Sequence, residues 1–202
     1  MTSSDSPKRS AALWLPLAFI AAALVFRWMK LTSEGMTLLP NFSPWMALAF
    51  TGTLVMPRAL PWWIWPAAML GVNTLALGPT EALDVESLAI YAMYAGAALI
   101  AARRRGSFSI AQSLGGVLGC GLVFYIVTNT AAWLAVPEYA KTLAGWLQAQ
   151  TTGLPGYAPT WHFLRNSLVS DLAFSALLLV AFNAEARLRS LPSLPWLRRA
   201  AA

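Results

Sequence analysis

The chain has 202 residues, of which 58% are hydrophobic and 11% are charged, and its net charge is +6. A soluble domain carries roughly a quarter charged residues, so this composition excludes an ordinary soluble domain and predicts a membrane protein. Positive charge can indicate nucleic acid binding, but here the cations flank apolar segments, where membrane topology and anionic lipid explain them. No nucleic acid partner is therefore expected.

Six apolar segments reach, or nearly reach, the length of about 20 residues that a helix needs to cross a bilayer. They predict spans at 11–31, 42–57, 60–77, 86–102, 108–136 and 164–185. The first segment resembles a signal peptide, but its apolar run exceeds the ~7–15 residues of such a region and no cleavage site follows it. The predicted fold is therefore an all-α polytopic bundle of six transmembrane helices, at 11–185.

The stretches outside these spans are also assigned. Residues 137–163 are amphipathic at first and then rich in Gly and Pro. They are too polar to span a membrane and too aromatic for a plain linker, so they predict an ordered external capping loop. Residues 1–10 and 186–202 are expected to be cytoplasmic tails, the second of them basic.

Lysine and arginine residues predict the orientation. If the N-terminus is cytoplasmic, ten of the fourteen cations lie on the cytoplasmic side: Lys8, Arg9, Arg58, Arg103, Arg104, Arg105, Arg187, Arg189, Arg198 and Arg199. The opposite side then carries the acidic residues Glu34, Glu81, Asp84, Glu86 and Glu138. Because cytoplasmic loops are enriched in Lys and Arg, both chain ends are predicted to be cytoplasmic.

Polar side chains from several spans are predicted to share the external half of the membrane. Asn129, between Thr128 and Thr130, lies roughly 10 Å inside the outer end of the fifth span, and Asp171 lies at a similar depth in the sixth. The second, third and fourth spans add Asn41, Asn73, Tyr91 and Tyr94. These groups either line a cavity or form hydrogen bonds between neighbouring helices.

Asp171 is the costliest of these residues, because a carboxylate at membrane depth is unfavourable by several kcal/mol unless it is paired or hydrated. It either pairs with Arg165 or faces a ligand. Trp161 and His162 lie at a predicted membrane interface, where they act either as anchors or as ligand contacts. The sequence leaves these alternatives open.

Small residues are expected to pack the internal half. Gly115 and Gly119, like Ala18 and Ala22 in the first span, have the spacing that lets helices approach closely. Cys120 lies between glycines and has no His or carboxylate at catalytic spacing, so it is expected to be a small packing residue. As the single cysteine, it also excludes an intrachain disulfide.

An ordered series of motifs resembles a known family. The stretches "NFSPWMALAF", "TNTAAWL", "YAKTLAGWLQA" and "RNSLVSDLAF" are similar to those of an uncharacterised family of bacterial six-span proteins with the patterns N-F-S-P and T-N-x-x-x-W. That family in turn resembles the S components of energy-coupling factor transporters, which take up vitamins.

The resemblance implies a multi-pass protein of the bacterial inner membrane that binds a vitamin-like solute, cobalamin among the candidates, in an external cavity. It implies docking on a transmembrane T component with ATPases through Ala18 and Ala22. The chain itself has no phosphate-binding loop, and no cofactor, metal or catalytic activity is expected. The predicted ligand contacts are Asn41, Asn73, Tyr91, Tyr94, Asn129, Trp133, Trp161, His162, Arg165 and Asp171.

The leading interpretation is thus a solute-binding membrane subunit that works by binding and release, with the fifth loop as its lid. One alternative is a scaffold of the cell-envelope or cell-shape type without a ligand. A weaker alternative is a membrane-embedded thiol enzyme that uses Cys120, His162 and Arg165, which are expected to lie far apart.

Overall fold

The computed structural model describes residues 14–32 and 40–197, and within these ranges the chain forms helices and no strand. The helices in chain order are α1 (Trp14–Thr32), α2 (Trp45–Val55), α3 (Ile64–Leu77), α4 (Pro79–Ala82), α5 (Val85–Arg103), α6 (Ile110–Ala135), α7 (Leu143–Gln150) and α8 (Thr160–Leu188). The predicted all-α class is confirmed.

Each of the six predicted apolar segments overlaps one of the longer helices, although the bounds shift. The largest shifts are at α3, which begins at Ile64 instead of residue 60, and at α8, which begins at Thr160 instead of residue 164. By length and composition, α6 and α8 are the described helices that could cross a membrane, and α2 and α3 are shorter apolar helices.

Some sequence predictions fall outside the described residues. These are the N-terminal tail at 1–10 and the charged residues Lys8, Arg9, Glu34, Arg198 and Arg199, together with the side chain of Glu86.

The centre of the bundle is α2, in which every residue from Trp45 to Leu54 is buried. Helices α3, α5, α6 and α8 all contact it. Its sequence can be enclosed on every side because it contains no charged residue. Its middle section, Leu48–Gly52, is a single stretch of π-helix, a form that occurs mostly as one turn inside an α-helix.

The two threonine hydroxyls of α2 find partners in the surrounding helices. The Thr51 hydroxyl is 2.8 Å from the Ser175 hydroxyl and accepts a hydrogen bond from Ser113 at 3.1 Å. The indole N–H of Trp65 donates to the Thr53 hydroxyl at 2.9 Å. These bonds offset the cost of burying hydroxyl groups, which is about 1–3 kcal/mol for each one left unpaired.

Arg105 fixes the turn between α2 and α3. Its Nε donates to the carbonyl of Thr53 at 2.6 Å and its Nη2 to the carbonyl of Leu60 at 3.1 Å. Burial, with a further contribution from Arg58, lowers the pKa of Arg105 from its ordinary value, but a guanidinium keeps its proton in proteins. Arg105, one of the cations that predict the membrane orientation, therefore also stabilises the turn between α2 and α3.

The N-terminus of α6 is covered by the far end of the chain. Ser109 caps the helix, and the amides of Ile110 and Ala111 donate to the carbonyls of Pro195 and Trp196 at 3.0 and 3.1 Å. Amides in the first turn of a helix have no partner within it, so the returning chain satisfies two of them. The predicted basic tail thus begins within α8 and then folds back onto α6.

Helix approach uses different glycines from those that the sequence indicated. Gly115 and Gly119 are exposed, and a Cβ atom at either would meet nothing within 4 Å. Ala18 and Ala22 are also exposed. The close contact is at Gly116 instead, where a Cβ would lie 2.3 Å from the Phe50 ring. The small-residue spacing therefore does not mark a helix contact within the described residues.

We predict that Gly116→Ala destabilises the bundle and Gly115→Ala does not. The added methyl at residue 116 must displace Phe50 in the closed core, and such overpacking costs about 1–3 kcal/mol. At residue 115 the methyl has open space, and alanine favours helix by up to ~1 kcal/mol over glycine. Thermal unfolding of both purified variants tests this, and equal melting temperatures would contradict it.

Candidate functional site

A cavity of about 940 Å³ lies between the C-terminal half of α6, the first turns of α8 and the loop that joins them. Helix α6 contributes one continuous face, and Asn41 and Ile90 reach the cavity from other parts of the chain. The α6 face consists of Phe124, Tyr125, Thr128, Asn129 and Ala132.

Three adjacent polar residues of α6 share one local arrangement. Each donates a side-chain hydrogen bond to the carbonyl four residues earlier: Thr128 at 2.9 Å, Asn129 at 2.8 Å and Thr130 at 2.7 Å. The two threonine donors and one of the two amide N–H groups of Asn129 are thereby used within the helix, and the oxygen atoms of all three side chains can still accept. The side chains of Thr128 and Asn129 line the cavity, so this wall presents hydrogen-bond acceptors to it.

Thr130 has a different task, because it holds the loop that roofs the cavity. Its hydroxyl oxygen accepts from the indole N–H of Trp146 in α7 at 2.9 Å and from the amide of Gln150 at 3.3 Å. The Tyr125 hydroxyl donates to the Gln150 carbonyl at 2.5 Å. Helix α7 is therefore fastened along α6 beside the cavity.

The beginning of the loop is tied to the last turn of α6. The indole N–H of Trp133 donates to the Ala140 carbonyl at 2.8 Å, and Lys141 Nζ donates to the carbonyls of Trp133 and Val136. Unpaired carbonyls at a helix C-terminus are stabilised by a nearby cation. Trp133, predicted as a ligand contact, thus positions the roof.

The floor of the cavity is aromatic. Phe124 lines the cavity and stacks on Tyr94 of α5, with ring centroids 5.4 Å apart and an interplanar angle of 25°. Tyr94 is 9% exposed and lies behind Phe124. Tyr94, predicted as a ligand contact, therefore supports the aromatic floor and does not line the cavity itself.

Asn73 and Tyr91 belong to a separate hydrogen-bond chain. Arg27 Nε donates to Asn73 Oδ1 at 3.0 Å, Asn73 Nδ2 donates to the Tyr91 hydroxyl at 2.8 Å, and that hydroxyl donates to the Ala82 carbonyl at 3.1 Å. The chain connects α1, α3, α5 and α4, and neither Asn73 nor Tyr91 lines the cavity. Of the two alternatives that the sequence leaves open, Asn73 and Tyr91 therefore follow the second, hydrogen bonding between neighbouring helices.

Trp161, His162 and Arg165 form a cluster on the first turns of α8. The Trp161 and His162 rings meet edge to face with centroids 4.1 Å apart, and the Arg165 guanidinium lies 5.6 Å from the centroid of the Trp161 ring. Arg165 also donates to Asn166 Oδ1 at 3.1 and 3.2 Å. None of the three lines the cavity.

The depth estimate predicts that Asp171 lies beside Asn129, but the structure separates the two residues. Asp171 does not pair with Arg165 either. It is 3% exposed and points toward Gly121, where a Cβ would lie 2.9 Å from Asp171 Oδ2. Gly121 precedes Asn129 by eight residues, or about 12 Å along α6. The carboxyl group therefore lies deeper in the bundle than the cavity wall.

Cys120 is half-buried, and Asp171 is within electrostatic range of its thiol. His162 precedes Asp171 by nine residues on α8, about 13 Å along the helix axis, so the three residues of the thiol hypothesis do not meet. Within residues 14–32 and 40–197, no group of three His, Cys, Asp or Glu side chains could hold a metal ion.

Several cavity residues were missed by the sequence reasoning. Most lie in the capping loop, where no helical or strand period indicates which side chains turn inward. Four of them carry an aromatic or amide side chain within four residues of a Gly or Pro, which could have been used as a signal. They are Tyr139, Gln148, Leu154, Pro155, Tyr157 and, at the start of α8, Phe163.

Comparison with known proteins places the chain in a family. The model of the family of unknown function DUF6580 matches residues 7–194. The chain belongs to this family. No curated protein and no solved structure matches it. Inferences about function therefore rest on the geometry of the cavity and its surroundings.

The roof gives a direct prediction. A Cβ at Gly145 would lie 2.0 Å from the Ala140 carbonyl oxygen, which is the acceptor of the Trp133 bond. Gly145→Ala should therefore displace the start of the loop and speed tryptic cleavage after Lys141, while the bundle melts at nearly the same temperature. Ala144→Ser, at an exposed neighbouring position, is the control. Unchanged cleavage in Gly145→Ala would contradict the assigned packing.

Proposed function

We propose that the chain is a multi-pass protein of the bacterial inner membrane that captures a small, vitamin-like solute from the external side. The observation that carries this proposal is the cavity of about 940 Å³, roofed by a loop tied to α6. Pockets for small molecules have volumes of about 300–1,000 Å³ and combine apolar walls with a few polar groups. The proposed mode of action is that of an S component, namely binding and release without catalysis.

The length and the exposed surface of α6 support a membrane location. Helix α6 has 26 residues, about 39 Å of helix, against a hydrocarbon core of about 30 Å. Its outward side carries Leu122, Val123, Ile126 and Val127, all of them exposed. A surface of this kind is favourable against lipid and unfavourable against water.

The proposed topology can be tested with reporter fusions. The positive-inside rule predicts that reporters joined after Arg105 and after Arg189 are cytoplasmic. A reporter inserted at Thr152, in the roof, should be external. An external reporter after Arg105 would reverse the orientation and place the cavity on the cytoplasmic side, which an uptake function from outside could not use.

The cavity wall restricts the chemistry of the solute. Phe124, Tyr139 and Phe163 offer aromatic faces, and Glu138 is the charged residue in the wall. Together with the acceptor oxygens of Thr128 and Asn129, these groups favour a neutral or cationic molecule that has a flat apolar part and several N–H or O–H donors. Anionic solutes have no cation in the described wall to meet them.

We predict that Asn129→Ala weakens solute binding by tenfold or more, equivalent to about 1.4 kcal/mol. Removal of the amide leaves the donor groups of the solute unpaired in a closed site. Because Asn129 bonds only to its own helix backbone, the melting temperature of the ligand-free protein should change little. Val127→Ala, on the exposed side of the same helix, is the matched control and should bind normally.

The measurement begins with mass spectrometry of small molecules released from the purified wild-type protein, followed by titration of the identified compound into each variant. Early melting of Asn129→Ala, with unchanged affinity per folded molecule, would contradict the binding role. That result would favour a ligand-free scaffold of the cell-envelope type.

A further inference from the structure

Asp171 is a buried acid that the cavity does not use. It lies 11 residues after the first residue of α8, about 16 Å along the axis, and is 3% exposed. Among residues 14–32 and 40–197 it has no hydrogen-bond or ion-pair partner, and Arg165 bonds to Asn166 instead. The ion pair in these ranges is the one between Arg189 and Glu185.

Few titratable groups face this carboxyl group. Cys120 approaches from α6 and Tyr94 from α5, and both are within electrostatic range of Asp171. Arg27 of α1 acts on Tyr94 as well, so the tyrosine is within electrostatic range of both Arg27 and Asp171. The other helices that contact α8, which are α2 and α7, contain no charged residue.

A carboxylate cannot stay charged and unpaired in such a place without a large cost, which is several kcal/mol for a charge at membrane depth. It must take up a proton or a metal cation. Hard cations require several oxygen ligands. Among the described residues, no other oxygen-bearing side chain partners Asp171 to complete such a site. The proton is therefore the better occupant.

The acid is linked to the cavity floor through Tyr94, which is within electrostatic range of it. Tyr94, its neighbour, stacks on Phe124 at 5.4 Å, and Phe124 lines the cavity. The stacked pair thus has one member in the cavity lining and the other in the field of the carboxyl group. A change of charge on Asp171 acts on Tyr94, and a solute that presses on Phe124 acts on the same stacked pair.

Hydroxyl groups extend from the acid in both directions along α8. Ser167 lines the cavity, and the Ser170 hydroxyl donates to the Ser167 carbonyl at 2.9 Å. On the other side of Asp171, one turn further along, the Ser175 hydroxyl lies 2.8 Å from that of Thr51. Positions 167, 170, 171 and 175 recur at helical spacing, so they form one polar stripe along α8.

We propose that Asp171 is a proton-binding site at the centre of the bundle and that its protonation is coupled to the occupancy of the cavity, which makes solute uptake proton-linked. The first half of this proposal stands on the burial and isolation of Asp171 alone. The coupling to solute rests on the proposed function of the cavity. The two halves are tested separately.

The proton site is tested with dicyclohexylcarbodiimide, an apolar reagent that reacts with protonated carboxyl groups. The acid adds across a C=N bond, its proton moves to nitrogen, and the product rearranges to a stable N-acylurea without a leaving group. The full-length protein should gain one adduct, on the peptide that contains Asp171. Asp171→Asn should gain none, and Glu185→Gln, at a surface ion pair, should react like the wild type.

The pH dependence has a defined sign. Labelling should fall as the pH is raised between about 6 and about 9, because only the protonated acid reacts, and sodium ions should not change it. Protection by sodium would make the site a sodium site and overturn the proposal. Infrared spectroscopy removes dependence on reagent access: the C=O stretch of a neutral carboxylic acid at pH 7 should disappear in Asp171→Asn. A wild-type protein with neither adduct nor band also overturns it.

The coupling is tested with a thiol in the cavity wall, without any solute. In a Cys120→Ala background, Ala132→Cys is labelled with a water-soluble maleimide at several pH values, with Asp171 or with Asp171→Asn. The ratio of the two rates cancels the titration of the thiol itself. It should change at least twofold over the pH range in which carbodiimide labelling falls. A constant ratio would refute the coupling, whereas failure to find any solute would refute the proposed function and leave the proton site standing.

Discussion

Three hydroxyl groups meet in the fully buried centre of the bundle, from Thr51 in α2, Ser113 in α6 and Ser175 in α8, at 2.8 and 3.1 Å. Apolar contacts alone restrict the rotation of a helix weakly, because neighbouring apolar faces can substitute for each other. A buried hydroxyl has no such freedom, since each unpaired one costs about 1–3 kcal/mol. This cluster therefore fixes the rotation of α6 and α8, and the direction of every other side chain on them follows.

That fixed rotation divides the two long helices into regions with different chemistry. Asn129 faces a wide cavity, whereas Asp171 faces Gly121 in a closed core. The stacked pair of Tyr94 and Phe124 connects them, because Phe124 lines the cavity and Tyr94 is within electrostatic range of Asp171. An aromatic layer excludes water and keeps the local dielectric low, which strengthens electrostatic interactions on its inner side. The same layer thus closes the cavity and sets the conditions under which the buried acid exists.

The sequence predicted the positions of the helices well and their rotations poorly. Length, hydropathy and flanking Pro residues locate the helices, because each apolar segment ends where a helix-breaking residue or a charged residue appears. They do not say which side faces inward, because a helix that is apolar all round has little amphipathic signal. Residue spacing therefore favours Gly115 as the packing residue where the structure uses Gly116, and depth alone predicts that Asn129 and Asp171 lie together, which they do not. Tertiary hydrogen bonds supply the missing information, and one sequence does not show them.

The polar triplet at 128–130 shows how an apolar helix can carry a selective surface. Each side chain gives a donor to a carbonyl of its own helix, which leaves one amide N–H of Asn129 as the donor of this group. The cavity side therefore presents mainly acceptor oxygens, to which the carboxyl group of Glu138 adds two more. A solute rich in N–H and O–H groups satisfies these oxygens, whereas one rich in acceptors leaves them unpaired. Discrimination therefore arises mainly from the penalty on the wrong solute, because a buried polar group left without a partner costs more than a formed bond contributes.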